Sequence, residues 1–136
     1  MKTPALVSVD GEPKAFLPVF AAARERGVRV GWLDLARDAE LPEPLAGAVS
    51  AGAFKAVATA GGRSVAAKAL RGAPVLRDLL REHFLGCALV LVRGHDGRPR
   101  LAAEAGAFRL DLAPERTLRL DAAALVAELL RPRHRA

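Results

Sequence analysis

The chain has 136 residues, enough for one domain that buries a core of its own and needs neither disulfide nor metal to fold. A lone cysteine, Cys87, excludes a disulfide framework, and no apolar run approaches the roughly 18 to 20 residues that cross a bilayer. The formal net charge of +6 comes with 17 arginines, an excess of Ala and Leu, and no Asn, Gln, Ile or Tyr, as a G+C-rich coding sequence produces, so the charge by itself does not point to nucleic acid.

The start, Met1-Lys2-Thr3-Pro4-Ala5, lacks the layout of a secretory signal, and a cytoplasmic location is the expectation. Ala5 to Val9 is a short apolar run stopped by Asp10-Gly11-Glu12-Pro13, which predicts a buried strand ending in a turn. Phe16, Leu17, Val19, Phe20 and Ala23 recur at helical spacing up to Gly27, with Pro18 admissible only in the first turn, so a helix begins near Ala15 to Leu17. Residues 28–35, which include Trp32, read as a second strand. The resulting β-α-β unit calls for a right-handed crossover and parallel, neighbouring strands.

A short helix over 44–50 and a strand over 54–60 follow. Gly61-Gly62 then admits two readings: a two-residue turn into an antiparallel hairpin with residues 64–70, which is favoured, or a strand-to-helix loop with a helix starting at Ser64. Val75, Leu76, Leu79, Leu80 and Phe84 repeat at helical spacing and predict a helix with an apolar face on the core, ending near Gly86. Cys87 to Val92 reads as a central strand, its thiol a small buried hydrophobe. Residues 98–120 alternate as a meander with one wet face, and Asp121 caps a last helix that turns Leu125, Val126, Leu129 and Leu130 inward until Pro132 stops it. The expected architecture is a single three-layer α/β domain over residues 1–130, a mixed sheet with a parallel core from β-α-β units, an antiparallel C-terminal extension and flanking helices. A basic tail over 131–136 completes the chain.

Open α/β sheets bind ligands beyond the carboxyl ends of their parallel strands. Those ends offer Ser8 and Asp10, Asp34 and Asp38, Thr59 with Gly61, Gly62, Arg63 and Ser64, and Arg93 with His95 and Asp96. Asp10 and Asp34, with Asp38 or Asp96, have the hard oxygen ligands that hold Mg²⁺ beside a phosphate ester. Val7-Ser8-Val9-Asp10-Gly11 resembles the first acidic strand of small metal-dependent nuclease and phosphatase folds, which implies Asp10 as a ligand, but Ser8 stands where an acid-x-acid motif needs its other acid. The plainer reading has Asp10 opening a turn and Asp34 capping a helix. Asp34 also resembles the ribose-binding acid of dinucleotide folds, yet residues 10–14 lack G-x-G-x-x-G and carry acids that would repel a pyrophosphate.

Gly61-Gly62-Arg63-Ser64 would cradle an anion if a helix begins at Ser64, although P-loop spacing is absent. His83, His95 and His134 are not spaced as zinc ligands, and His95 and Asp96 read as exposed turn residues. Ser8, Ser64 and Cys87 lack the local signature of a nucleophile. With no nucleophile, base and oxyanion donor converging, the expected function is a non-catalytic binding or interaction domain. The alternatives are a metal-dependent phosphate-ester or nucleotide enzyme using Asp10 and Asp34, and weak, salt-sensitive, non-specific nucleic-acid binding. No cofactor is indicated. A small anionic ligand and a homo-oligomer paired through the last strands are the partners left open; a membrane is not expected, and nucleic acid is disfavoured.

Overall fold

The computed structural model describes residues 3–132. In chain order its elements are β1 (Ala5–Asp10), a 3-10 turn (Pro13–Phe16), α1 (Leu17–Glu25), β2 (Val30–Asp34), α2 (Glu43–Ser50), β3 (Lys55–Ala60), β4 (Arg63–Lys68) and α3 (Leu76–His83). β5 (Leu89–Arg93), β6 (Arg100–Glu104), β7 (Ala107–Ala113), β8 (Arg116–Leu120) and α4 (Ala122–Leu129) follow. Pro18 sits in the first turn of α1, where its missing N–H leaves no bond unmade. That helix ends on two bonds, from the Val28 N–H to the Ala23 carbonyl (2.9 Å) and from the Gly27 N–H to the Arg24 carbonyl (3.0 Å), which satisfy its last acceptors. The chain forms two compact units, one from the described residues up to Arg37 and from Leu80 onward, the other Asp38–Leu79.

The first unit carries a six-stranded sheet in the order β2-β5-β1-β6-β7-β8, an α/β fold of the expected mixed class. β2, β5, β1 and β6 are parallel, while β7 and β8 turn back antiparallel. Two details depart from the sequence reading. β5 lies between β1 and β2, which are therefore not neighbours, and β6 runs parallel to β1 although it opens the stretch read as a meander. A β-α-β unit fixes direction and handedness but leaves room for a strand between its own. β5 fills that room because Leu89, Val90, Leu91 and Val92 are buried on both of its faces.

Strand alternation divides the sheet's side chains. Ala5, Val7, Val9, Leu89, Leu91, Leu101, Phe108 and Leu110 belong to one core cluster with Val19 and Ala23 of α1 and Leu125, Val126 and Leu129 of α4. Phe16 lies at its centre, fully buried, with ring centroids 6.0 Å from Trp32 and 6.2 Å from Phe108. Leu17, expected on the same face, is 60% exposed, because the inward stripe of α1 runs through Val19 and Ala23. On the other side of the sheet Phe84 packs on Gly31 so closely that a methyl group there would overlap its ring. Asp121 caps α4 as expected, accepting the Ala124 N–H at 2.8 Å. Asp121→Ala is expected to lower stability by about 0.5 to 2 kcal/mol in urea unfolding. Of the basic tail, residues 133–136, His134 among them, lie outside the described residues.

In the second unit β3 and β4 pair as an antiparallel ribbon, with α2 packed on both strands. Gly61 and Gly62 have φ of 58° and 78°, the two left-handed positions of a tight hairpin turn. The hairpin reading therefore holds, and the helix from Ser64 is replaced by β4. β3 in turn is not a member of the parallel sheet. The helix expected to supply core contacts, α3, has no buried residue, so Leu79 is not a core side chain. Helical spacing reports an apolar stripe; it says nothing of what meets that stripe.

Candidate functional site

At the carboxyl end of β2, Asp34 stands directly opposite Arg93 of β5, and one Arg93 Nη donates to both Asp34 carboxylate oxygens at 3.1 Å. Asp34 Oδ1 also accepts the Ala36 N–H at 3.0 Å, so it closes a turn and not the helix the sequence suggested. The Leu35 N–H donates to the Arg93 carbonyl at 2.8 Å, and Gly94 follows with φ 81°, its Cα pressed against the backbone of Leu35 and Ala36. Any side chain at 94 would collide with that backbone. The ends of β2 and β5 are thus sealed together by side-chain and backbone bonds.

The end of β1 belongs to the other side of the sheet, because Ser8 and Asp10 alternate with Val7 and Val9. Arg100, paired with Ser8 in the register, forms a two-pronged ion pair with Asp10, its Nε donating to Oδ2 at 3.0 Å and its Nη2 to Oδ1. Hydrogen bonding to Asp10 raises the already high pKa of Arg100, with desolvation opposing and the charges of Asp10, Asp96 and Asp111 adding to it. Arg100 also donates to the His95 carbonyl at 3.1 Å. Residues 94–99 connect β5 to β6 by crossing β1, and this strap is fastened by Ser8 Oγ and His95 Nδ1 at 3.1 Å. Ser8 is 4% exposed, and the bond supplies the partner a buried hydroxyl requires.

These positions correct the metal reading. Asp10 and Asp34 lie on opposite faces of the sheet, separated by β5, and each carboxylate is neutralised by its own arginine. Among the described residues no group of His, Cys, Asp and Glu is placed to hold a metal ion. Asp96 is exposed and adds to the field at Arg100. His95, read as an exposed turn residue, is half-buried and bonded. Desolvation pushes the Cys87 thiol above its usual pKa, against a smaller pull from Arg29, which keeps it protonated and suits packing better than nucleophilic chemistry.

At the hairpin tip, Thr59, Gly61, Gly62, Arg63 and Ser64 line a shallow hollow of about 360 Å³, with Thr59 opposite Ser64 and Ala60 opposite Arg63. The helix start on which anion cradling depended is not there. Arg100 and the role of Ser8 escape a motif-based reading. A serine inside an otherwise apolar buried strand was a usable signal, since such a hydroxyl must find a partner, but nothing in the sequence named His95 as that partner.

Exposed charges on the last three strands are paired in the same way. Arg109 meets Glu104 at 3.3 Å and Asp111 at 3.5 Å, and Arg119 reaches Glu104 at 3.8 Å, so the wet face of β6, β7 and β8 carries interleaved signs. No described helix is long and apolar enough to cross a membrane.

Neither a family model nor a curated protein matches the sequence. Among solved structures, the chain is similar to a MobB protein homolog from Bacillus stearothermophilus, with 21% identity and a TM-score of 0.48. That similarity covers 73% of this chain and 63% of that one, less than two thirds of its length. Two structures of Bacillus subtilis MobB are 19% identical: one has a TM-score of 0.51 over 74% of this chain and 68% of that one, the other 0.46 over 72% and 62%. At these identities the likeness is one of fold, and the first of the two Bacillus subtilis structures shows it: the chain shares the α/β fold of MobB.

Proposed function

We propose that this chain is a non-catalytic binding module, in which the six-stranded sheet is the scaffold and residues 38–79 carry the binding surface. The observation that carries this reading is the mutual engagement of the polar groups at the strand ends. Asp10 is held by Arg100 and Asp34 by Arg93, and Ser8, 4% exposed, is bonded to His95 inside the fold and out of a substrate's reach. By contrast Leu41, Phe54, Val57, Val65, Leu70 and Val75 are exposed in the second unit, Val57 and Val65 on opposite faces of its ribbon, and so many exposed apolar side chains in a short stretch point to an interaction surface.

The test is a melting experiment. Mg²⁺ or Mn²⁺, alone or with a nucleoside triphosphate, is expected to leave the melting temperature unchanged, since a ligand stabilises only a fold that binds it. A metal-dependent rise that disappears in Asp10→Ala would replace the binding module with a metal enzyme.

A further inference from the structure

We propose that the ribbon of β3 and β4 docks in the major groove of duplex DNA and binds it through the phosphates, without regard to sequence. The inference rests on the binding-module reading and names that module's partner. Charge carries it. Between Glu43 and Asp78 the chain holds Lys55, Arg63, Lys68, Arg71 and Arg77 and no acid, so five of its six net positive charges come from this one span of the second unit. Composition alone spreads the arginines over the whole chain; the structure separates those that are compensated from those that are not. The first unit sets Arg93, Arg100, Arg109 and Arg119 beside carboxylates, whereas Lys55, Arg63, Arg71 and Arg77 make no ion pair among the described residues. A positive field that its own fold does not offset collects polyanions.

Shape selects the polyanion. Residues 55–68 include five alanines and two glycines, and apart from Lys55, Arg63 and Lys68 nothing among them is larger than valine or threonine. Two strands about 5 Å apart with such small side chains suit the major groove of DNA, about 12 Å wide, which admits a two-stranded ribbon. The deep, narrow major groove of duplex RNA does not. By the pairing register Lys55, Val57 and Thr59 share one face with Ser64, Ala66 and Lys68, so that face carries two hydroxyls and two ammonium groups, all donors to phosphate oxygens. Lys55, Val57, Thr59, Ser64 and Ala66 are exposed there, while the half-buried Ala56 and Ala67 belong to the other face. These contacts use a face of the ribbon and leave its strand edges out of the interface. Arg63 stands at the opposite end from Lys55, beside the glycine turn, and holds a second phosphate. With no Asn or Gln in the chain, adenine has no two-bonded reader, and binding rests on the backbone of the duplex. An anionic membrane is a poorer match, because the tip Ala60-Gly61-Gly62-Arg63 has no large apolar side chain to enter the headgroup layer.

The experiment titrates a fluorescent DNA duplex of about 20 base pairs with the full chain and follows its anisotropy from about 50 to about 200 mM salt, with circular dichroism as the folding control. The wild-type chain is expected to bind with a Kd on the order of micromolar at the lower salt, equally for two unrelated sequences, and with a log–log salt slope of about −4. Lys55→Ala and Arg63→Ala are each expected to weaken binding roughly tenfold at the lower salt and to make the slope shallower by about 1. Arg116→Ala, on the exposed edge of β8, and the joint change Arg133→Ala with Arg135→Ala are expected to alter neither. A duplex RNA and phosphatidylserine vesicles, compared at equal negative charge, are expected to bind at least about tenfold more weakly than the DNA. No binding to the DNA at the lower salt, RNA or vesicles bound as tightly as the DNA, or a loss that follows Arg133 and Arg135 instead of Lys55 and Arg63 would overturn the proposal. The metal melting test reads Asp10 independently, so failure of DNA binding and failure of the binding-module reading are distinguishable.

Discussion

Phe16→Ala is expected to remove about 3 to 5 kcal/mol of stability, a large part of what holds a domain of this size together. The ring is fully buried, lies between Trp32 and Phe108, and joins the segment before α1 to both the parallel and the antiparallel parts of the sheet. Truncation removes its transfer free energy and leaves a void lined by the sheet and by α1, both held by other contacts, so the site collapses little. Urea unfolding of the full chain measures the change. A loss below about 1 kcal/mol would mean that Phe16 is not the centre of the core.

Gly94→Ala is the second large effect, expected at about 3 kcal/mol or more. Two costs add there. The left-handed backbone, φ 81°, is one that side-chain-bearing residues enter at about 1 to 2 kcal/mol. The new methyl group would also overlap the backbone of Leu35 and Ala36, which is pinned by the Asp34 and Arg93 bonds and has nowhere to move. Gly106→Ala separates the two, because Gly106 has nearly the same φ, 79°, and a methyl group added there would meet nothing within 4 Å. Equal costs at 94 and 106 would show that the ends of β2 and β5 are not sealed as described.

Much of the fold is legible in the sequence because the signals are local. The apolar run of β1, the proline of α1, the glycine pair of the hairpin and the Asp121 cap each act within a few residues, and each appears where expected. What was not legible is long-range. Whether β5 enters between β1 and β2 depends on its two buried faces finding two strands more than fifty residues away. The same limit hides the candidate site: Asp10 and Asp34 look like a pair in a β-α-β unit, but their partners are Arg100 and Arg93, drawn from a distant part of the chain. The face to which each aspartate belongs follows from register, which alternation alone does not supply. α3 failed for a related reason. Its stripe of Leu76, Leu79 and Leu80 is visible in the sequence, but its half-burial is not.

The insertion of β1 between β5 and β6 has a consequence for synthesis. β1 obtains its hydrogen-bonding neighbours from Leu89–Arg93 and from Arg100–Ala102, so a growing chain makes this strand roughly eighty residues before either neighbour exists. At about 5 to 20 residues per second, β1 waits roughly 4 to 16 seconds with its apolar side chains uncovered. The larger unit therefore closes late, when the six-residue connection after β5 lays β6 along the waiting strand, and a nascent chain halted before Arg100 carries an unpaired apolar edge that chaperones or aggregation will claim first.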